Sequence, residues 1–121
     1  MKLAKRFEDL HIWQEARVQV LIIYRSFMPA SARYCDSSFR DQLQRAAISV
    51  MNNIAEGFER KTQKDFAHFL DQAKGSCGEV RSMLYVAEDL NYLSAEMASR
   101  MRADAEKLSA GIAGLARHLR S

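Results

Sequence analysis

Apolar residues in this chain recur at spacings of three and four, the period of an α-helix, and no segment alternates with the two-residue period of a strand. Breaks in the pattern predict four helices, over residues 9–28, 37–60, 62–91 and 94–119. Pro29 should end the first helix, because proline cannot continue one. The connections are short, so successive helices should run antiparallel. The sequence therefore predicts one all-α domain over residues 1–121, an up-down-up-down four-helix bundle.

Residues that favour helix ends mark the same boundaries. Ser37 or Ser38 is expected to cap the second helix, Thr62 the third and Ser94 the fourth. The reason is that a hydroxyl can accept a hydrogen bond from the unpaired N–H groups of a first turn. Asn91 is expected to end the third helix, since asparagine tolerates the left-handed conformation common there.

One apolar stripe on each predicted helix should form the core. In helix order the stripes are Leu10, Trp13, Val20, Tyr24 and Phe27; Phe39, Leu43, Ala46, Val50, Ile54 and Gly57; Phe66, Phe69, Ala73, Cys77, Val80, Leu84 and Ala87; and Met97, Met101, Leu108, Ile112, Leu115 and Leu119.

The first two helices carry more apolar residues than a single bundle needs. At 100° per residue, some of them point away from the core stripe or flank it. These residues are Val18, Ile22, Ile48, Met51 and Ala55. Scattered surface apolar residues are normal, but aligned pairs on two helices favour a second buried surface. We therefore expect these residues to form an interface between copies of the chain.

Polar residues line one edge of the second helix and have counterparts on the third. They are Arg45, Ser49, Asn53 and Glu56, with Ser76 and Glu79 opposite. Two interpretations are open: a catalytic or ligand-binding network, or hydrogen bonds that fix the register of helices or subunits. We favour the structural interpretation.

Two glycines, Gly75 and Gly78, interrupt the third predicted helix. Each costs about 1 kcal/mol relative to alanine in a helix interior. A phosphate-binding loop would need a glycine-rich turn between a strand and a helix, and the pattern contains no strand. Close approach of another helix at the missing side chains is the expectation.

The net charge is +3, and the basic excess lies in the first and last segments. Such a bias permits anionic partners such as RNA or DNA. The candidate phosphate-binding residues are Lys5, Arg6, Arg17, Arg25, Arg100, Arg102, Lys107, Arg117 and Arg120. Aromatic residues are not interleaved with them, so no base-stacking platform is evident. An ordinary solvated helix face is the alternative, although a ring of subunits would repeat each charge by symmetry.

No catalytic or metal-binding pattern is recognisable. A di-iron bundle needs Glu-x-x-His on two helices, and this chain has one imperfect version, Asp65 to His68. Neither Cys35 nor Cys77 has a histidine partner that would activate it. We therefore expect no enzyme activity, no metal and no cofactor. The longest apolar run, Val20 to Tyr24, is too short for a membrane span, and no signal sequence is apparent. A cytoplasmic protein is expected.

Several segments resemble one known family. Phe7-Glu8-Asp9-Leu10 is similar to the opening of the four-helix-bundle proteins encoded in 23S rRNA intervening sequences. The most specific segment is Asn53-Ile54-Ala55-Glu56-Gly57, preceded by Arg45-Ala46-Ala47-Ile48-Ser49. The resemblance covers residues 7–92, and the last helix matches only in pattern.

This resemblance implies a bacterial cytoplasmic protein that forms a homopentameric ring of bundles. It also implies a relationship to the accessory variability protein of diversity-generating retroelements, a strongly basic pentamer that is thought to bind nucleic acid. We therefore expect a non-enzymatic homo-oligomer that binds RNA or DNA weakly, or serves as an adaptor for a nucleic-acid enzyme. The alternative is a protein–protein scaffold with no nucleic-acid role.

Overall fold

The computed structural model describes residues 4–28 and 35–121, which form four α-helices and no strand. A short 3₁₀ helix, Phe7–Asp9, precedes α1 (His11–Ser26), α2 (Ser37–Phe58), α3 (Gln63–Asp89) and α4 (Ala95–Arg120). The third helix packs extensively against α2 and α4, whereas α1 packs against α2 and more lightly against α4. The predicted all-α fold of four helices is confirmed. Pro29 lies outside the described residues.

The N-cap of α2 lies just before the two serines that were predicted to cap the helix. Asp36 is the N-cap, and its Oδ2 atom accepts a hydrogen bond of 2.9 Å from the backbone N–H of Phe39. Ser37 and Ser38 already belong to the first helical turn. The expectation that one of these serines caps α2 is therefore wrong. The Asp36 carboxylate is the cap instead, and its negative charge interacts favourably with the positive N-terminal end of the helix dipole.

The other predicted helix starts are confirmed. Thr62 Oγ1 accepts from the backbone N–H of Asp65 at 3.1 Å. Ser94 Oγ accepts from the backbone N–H of Met97 at the same distance. Each hydroxyl satisfies one N–H group that has no partner within its own helix.

Asn91 ends α3 as predicted, with a left-handed backbone conformation (φ 61°). Its N–H group donates to the carbonyl oxygen of Glu88, and the N–H group of Tyr92 donates to that of Ala87. These two bonds are the Schellman pattern, which satisfies the last carbonyl groups of a helix and reverses the chain. The tight reversal places α4 directly alongside α3.

The core stripes of α2 and α3 are largely as predicted, but that of α1 is rotated. Ile12, Ala16 and Ile23 are buried, while Trp13 is only half-buried and Tyr24 is exposed. Because α1 is apolar around most of its circumference, its periodicity does not determine which face turns inward. Packing decides instead: the chosen face carries the small Ala16, which allows close contact with the neighbouring helices.

The prediction that Met97 is buried is also wrong. Met97 is exposed, and Ala98 takes the buried position at the start of α4. Met97 instead lines a surface hollow together with Ile22 and Ser26 of α1.

Candidate functional site

The polar stripe on α2 forms a hydrogen-bond network with α3. The Ser49 and Ser76 hydroxyl oxygens lie 2.8 Å apart. Asn53 Nδ2 donates to the Ser49 carbonyl oxygen at 2.9 Å and to Ser49 Oγ at 3.0 Å. Ser49 Oγ thus takes part in both contacts, and in the one with Ser76 either hydroxyl can be the donor. The three half-buried side chains connect the middle of α2 to that of α3.

The remaining members of the stripe are at the surface. Glu79 accepts a hydrogen bond of 2.6 Å from Gln42 Nε2, a second link between α2 and α3. Arg45 and Glu56 are exposed and form no ion pair with each other or with Glu79. The structure therefore joins Ser49, Asn53 and Ser76 in one network and does not bring Arg45 or Glu56 into it. The network contains no carboxylate or imidazole beside a nucleophile, which general-base catalysis would require.

The candidate interface residues are placed differently on the two helices. Val18 is 52% exposed, and Ile22 next to it is half-buried. On α2, Ile48, Met51 and Ala55 are all half-buried. Residues of the same chain already bury part of these α2 side chains. Met51 packs against the core, and Ala55 lines a hollow between Phe7 and α2.

Apart from Met97 of α4, the large exposed apolar residues are on or next to α1 and the second half of α3. On α1, Leu21 and Tyr24 join Val18, and Met28, which follows the helix, is 54% exposed. On α3, Val86 and Tyr85 are exposed, and Leu90, which follows the helix, is 54% exposed. The sequence prediction did not include this surface on α3. The signal was nevertheless available, since Val86 is out of phase with the core stripe of its helix.

The two glycines within α3 are also on its outer side. A β-carbon built on Gly75 or Gly78 would meet no atom within 4 Å. The expectation that these glycines admit another helix of the same described chain is therefore wrong. With Ser82 and Val86 they form a line at spacings of three and four, so one exposed strip of α3 has glycine, serine and valine side chains only.

Most of the candidate phosphate-binding arginines have acidic partners. Arg6 pairs with Glu8 and Asp9, and Arg100 pairs with Glu96 at 3.5 Å. Other candidates are held in different ways: Arg17 lies over the Trp13 ring, 5.8 Å from its centroid. Lys5, Arg25, Lys107 and Arg117 are exposed.

Two of these arginines connect α4 to α3. Arg120 makes a two-pronged ion pair with Asp71, at 3.0 and 2.5 Å. The hydrogen bonds from Arg120 lower the pKa of the Asp71 carboxyl group. Arg102 Nη1 lies 2.9 Å from Glu88 Oε1, and its guanidinium lies 4.1 Å from the centroid of the Tyr85 ring. Only 17% of the Arg102 side chain is exposed, so little of it can reach a phosphate.

Neither cysteine is activated as a nucleophile. Cys77 is fully buried and donates to the carbonyl oxygen of Ala105 at 3.2 Å. Burial raises the pKa of the Cys77 thiol, and it also raises the pKa of the Cys35 thiol, with the nearby Arg40 acting in the opposite direction. A reactive cysteine needs a lowered pKa, so both thiols remain protonated at neutral pH.

The described residues provide neither a metal-binding cluster nor a membrane-spanning helix. Within residues 4–28 and 35–121, no three histidine, cysteine or acidic side chains lie together in a group that could hold a metal ion. In the same ranges, no helix is both long enough and apolar enough to cross a bilayer.

Comparison with known proteins supports the fold. A similar solved structure is that of a protein with unknown function from the S23 ribosomal protein family of Bacteroides thetaiotaomicron. The two chains are 16% identical, superpose with a TM-score of 0.73, and align over 85% of this chain and 95% of that chain. No curated protein matches.

The family comparison agrees with the resemblance found in the sequence and extends it. The family model described as 23S rRNA-intervening sequence protein matches residues 8–114, which includes most of α4 as well as the first three helices. Neither this description nor that of the solved structure names a catalytic activity. The chain belongs to the 23S rRNA-intervening sequence protein family.

Proposed function

We propose that this protein is a non-catalytic building block that assembles with copies of itself into a homopentameric ring, and that the ring serves as a scaffold or adaptor. The observation that carries the proposal is the pair of unlike exposed surfaces on α1 and α3. Val18 and Leu21 are exposed on α1, and Met28 is exposed just after it. On α3, the exposed strip is open at Gly75 and Gly78, where an added β-carbon would meet no atom within 4 Å.

The two surfaces are complementary in shape. The projecting side chains of α1 suit a helix surface with two glycines, because glycines let helix backbones approach closely. Charged residues of both signs border each surface, Glu15 and Arg17 on α1 and Lys74 and Glu79 on α3. Opposite charges at the edge of an apolar contact favour correct docking over incorrect docking.

A contact between two different surfaces of the same chain has a geometric consequence. Each copy uses α1 to bind one neighbour and α3 to bind the other, so the interface is head-to-tail. A head-to-tail interface closes into a ring when its rotation allows. The homopentamer implied by the family resemblance is such a ring, and we retain that number in the proposal.

We place the scaffold function ahead of nucleic-acid binding. The reason is that Arg6, Arg100, Arg102 and Arg120 are all paired with carboxylates. Phosphate binding would have to replace these contacts. A protein that binds RNA or DNA through its charge would lose affinity steeply with added salt, as counterions are released.

Light scattering coupled to size exclusion, at low and high salt, tests the proposal. The wild type should elute at five times the 13.8 kDa chain mass, with equal mass at both salt concentrations and no nucleic-acid absorbance. A monomer at micromolar concentration would contradict assembly. A ring that carries nucleic acid at low salt and loses it at high salt would favour the nucleic-acid function instead.

Two substitutions test the head-to-tail contact. Leu21→Glu places a charge on the α1 surface, and Gly78→Leu blocks the α3 strip. Each variant alone should be monomeric and fully helical. Mixed together they should form a dimer, because one variant retains α3 and the other retains α1. Asn52→Glu, at an exposed position of α2, is the control that should leave the ring intact. A mixture that stays monomeric would rule out this contact.

A further inference from the structure

The bundle contains a cleft of about 390 Å³ between α1 and α4. The two helices are close at Gly111, where a β-carbon would lie 3.1 Å from Ile12 Cγ2. The lining of the cleft extends along α1 from His11 to Ile23 and along α4 from Met101 to Leu108. Val80 and Leu84 of α3, both fully buried, form its floor.

The cleft is lined mainly by apolar side chains. Val18, Ile22 and Ile23 come from α1, and Met101 and Leu108 from α4. The charged residues of the lining are mostly exposed and include both signs, Asp104 and Lys107 among them. Pockets between the helices of a bundle, of a few hundred Å³ and with apolar walls, are typical sites for small ligands. An ionised ligand would lose its hydration against these walls without a dedicated partner, so an uncharged ligand fits better.

One polar atom among the lining residues has no partner. Gln19 lines the cleft, and its Oε1 atom is buried without a hydrogen bond from the described residues. Two carbons separate this amide from the backbone of α1, so the unpaired oxygen belongs to the side chain and not to the helix hydrogen bonds.

We propose that this cleft binds a small, uncharged, largely apolar molecule with a single hydrogen-bond donor, an N–H or O–H group, that pairs with Gln19 Oε1. The apolar walls provide the affinity, and the unpaired acceptor provides the selectivity. A buried acceptor that is left unpaired is costly, so a ligand with a donor is preferred over an otherwise equal ligand without one. Val18 belongs both to this cleft and to the α1 surface of the proposed ring.

Indole and 1-methylindole are suitable probes, because they share an apolar bicyclic shape and only indole has an N–H group. Titration calorimetry with the full chain should show that indole binds about tenfold more tightly, the ratio expected for one hydrogen bond. Methyl NMR signals of Ile22, Ile23 and Leu84 should shift on binding. No binding of indole, or shifts confined to residues outside the cleft, would overturn the proposal.

Two substitutions test the hydrogen bond and the cleft independently. Gln19→Leu should abolish the preference for indole while both probes still bind. Asp104→Phe, at an exposed position on the rim, should fill the cleft and weaken both probes at least tenfold. Ala103→Phe is the matched control, because Ala103 is exposed on the same helix but is not part of the lining. Preference for indole that survives Gln19→Leu would refute the assigned hydrogen bond, and unchanged binding in Asp104→Phe would refute the assigned cleft.

Discussion

Gly57 of α2 lies so close to Phe69 of α3 that a β-carbon at position 57 would be 2.7 Å from the Phe69 Cβ atom. A second clash, at 2.9 Å, would involve the ring of Phe66. One of these obstacles is a β-carbon fixed to the backbone, so a rotation of the Phe69 side chain cannot relieve the contact. The beginning of α3 thus packs directly on the last turns of α2, a contact that only glycine permits.

Gly57→Ala should therefore destabilise the fold. The extra methyl group forces α2 and α3 apart, and we expect the free energy of unfolding to fall by about 1–3 kcal/mol. This range is a net value: it already allows for the gain in helix propensity of about 1 kcal/mol that replacing glycine by alanine brings. Urea denaturation followed by circular dichroism measures the change. A variant as stable as the wild type would show that the two helices can separate at little cost.

Gly78→Ala is the matched substitution with the opposite expected sign. Position 78 is open, so the new methyl group meets nothing and only the helix propensity changes. We expect the free energy of unfolding to rise by up to about 1 kcal/mol. The measurement belongs in the Leu21→Glu background, where assembly should not contribute. Loss of stability there would indicate that Gly78 contacts something within the chain.

The contrast between helices shows what the sequence can predict. On α2 the apolar residues form one stripe, so Leu43, Val50 and Ile54 were correctly predicted to be buried. On α1 apolar residues occur on nearly every side. The surfaces of α2 and α4 decide which of these residues are buried, and the periodicity of α1 carries no information about those surfaces. Tyr24, which was predicted to be buried, is therefore exposed.

The candidate sites follow the same logic. The hydrogen bonds of Ser49 and Asn53 could be expected, because short polar side chains at the edge of a core stripe must find partners nearby. Arg45 and Glu56 have long side chains that reach water from the same stripe. The cleft could not be predicted at all, since it depends on how α1 and α4 are arranged relative to each other.

The capping role of Asp36 gives a second stability test. Asp36→Ala removes the acceptor for the Phe39 N–H group, and we expect it to lower the free energy of unfolding by about 1 kcal/mol. Ser38→Ala, two residues later in the first turn of α2, should change it by no more than about 0.5 kcal/mol, as is usual at the surface. Equal losses in the two variants, measured by urea denaturation, would argue against Asp36 as the cap.

The ion pair between Asp71 and Arg120 predicts a dependence on pH. Because Arg120 lowers the pKa of Asp71 in the folded state, the carboxylate stabilises the fold above its unfolded pKa of about 3.9. That contribution is lost as the pH falls through the lower, folded pKa. The stability difference between the wild type and Asp71→Asn should therefore be present at neutral pH and disappear in acid. A carboxyl NMR titration of Asp71 that gives an unshifted pKa would contradict the expectation.

The contact of Arg102 with Glu88 should be structural, and a double-mutant cycle can show it. Glu88 Oε1 is buried and its charged neighbour is Arg102, at 2.9 Å. Arg102→Met keeps an apolar stem beside Tyr85 but leaves that oxygen without its cation, at an expected cost of about 1–3 kcal/mol. Adding Glu88→Gln removes the uncompensated charge, so the double variant should be more stable than the sum of the single losses predicts. Losses that simply add would mean that the two side chains do not interact, and Arg102 would then be available to an external anion.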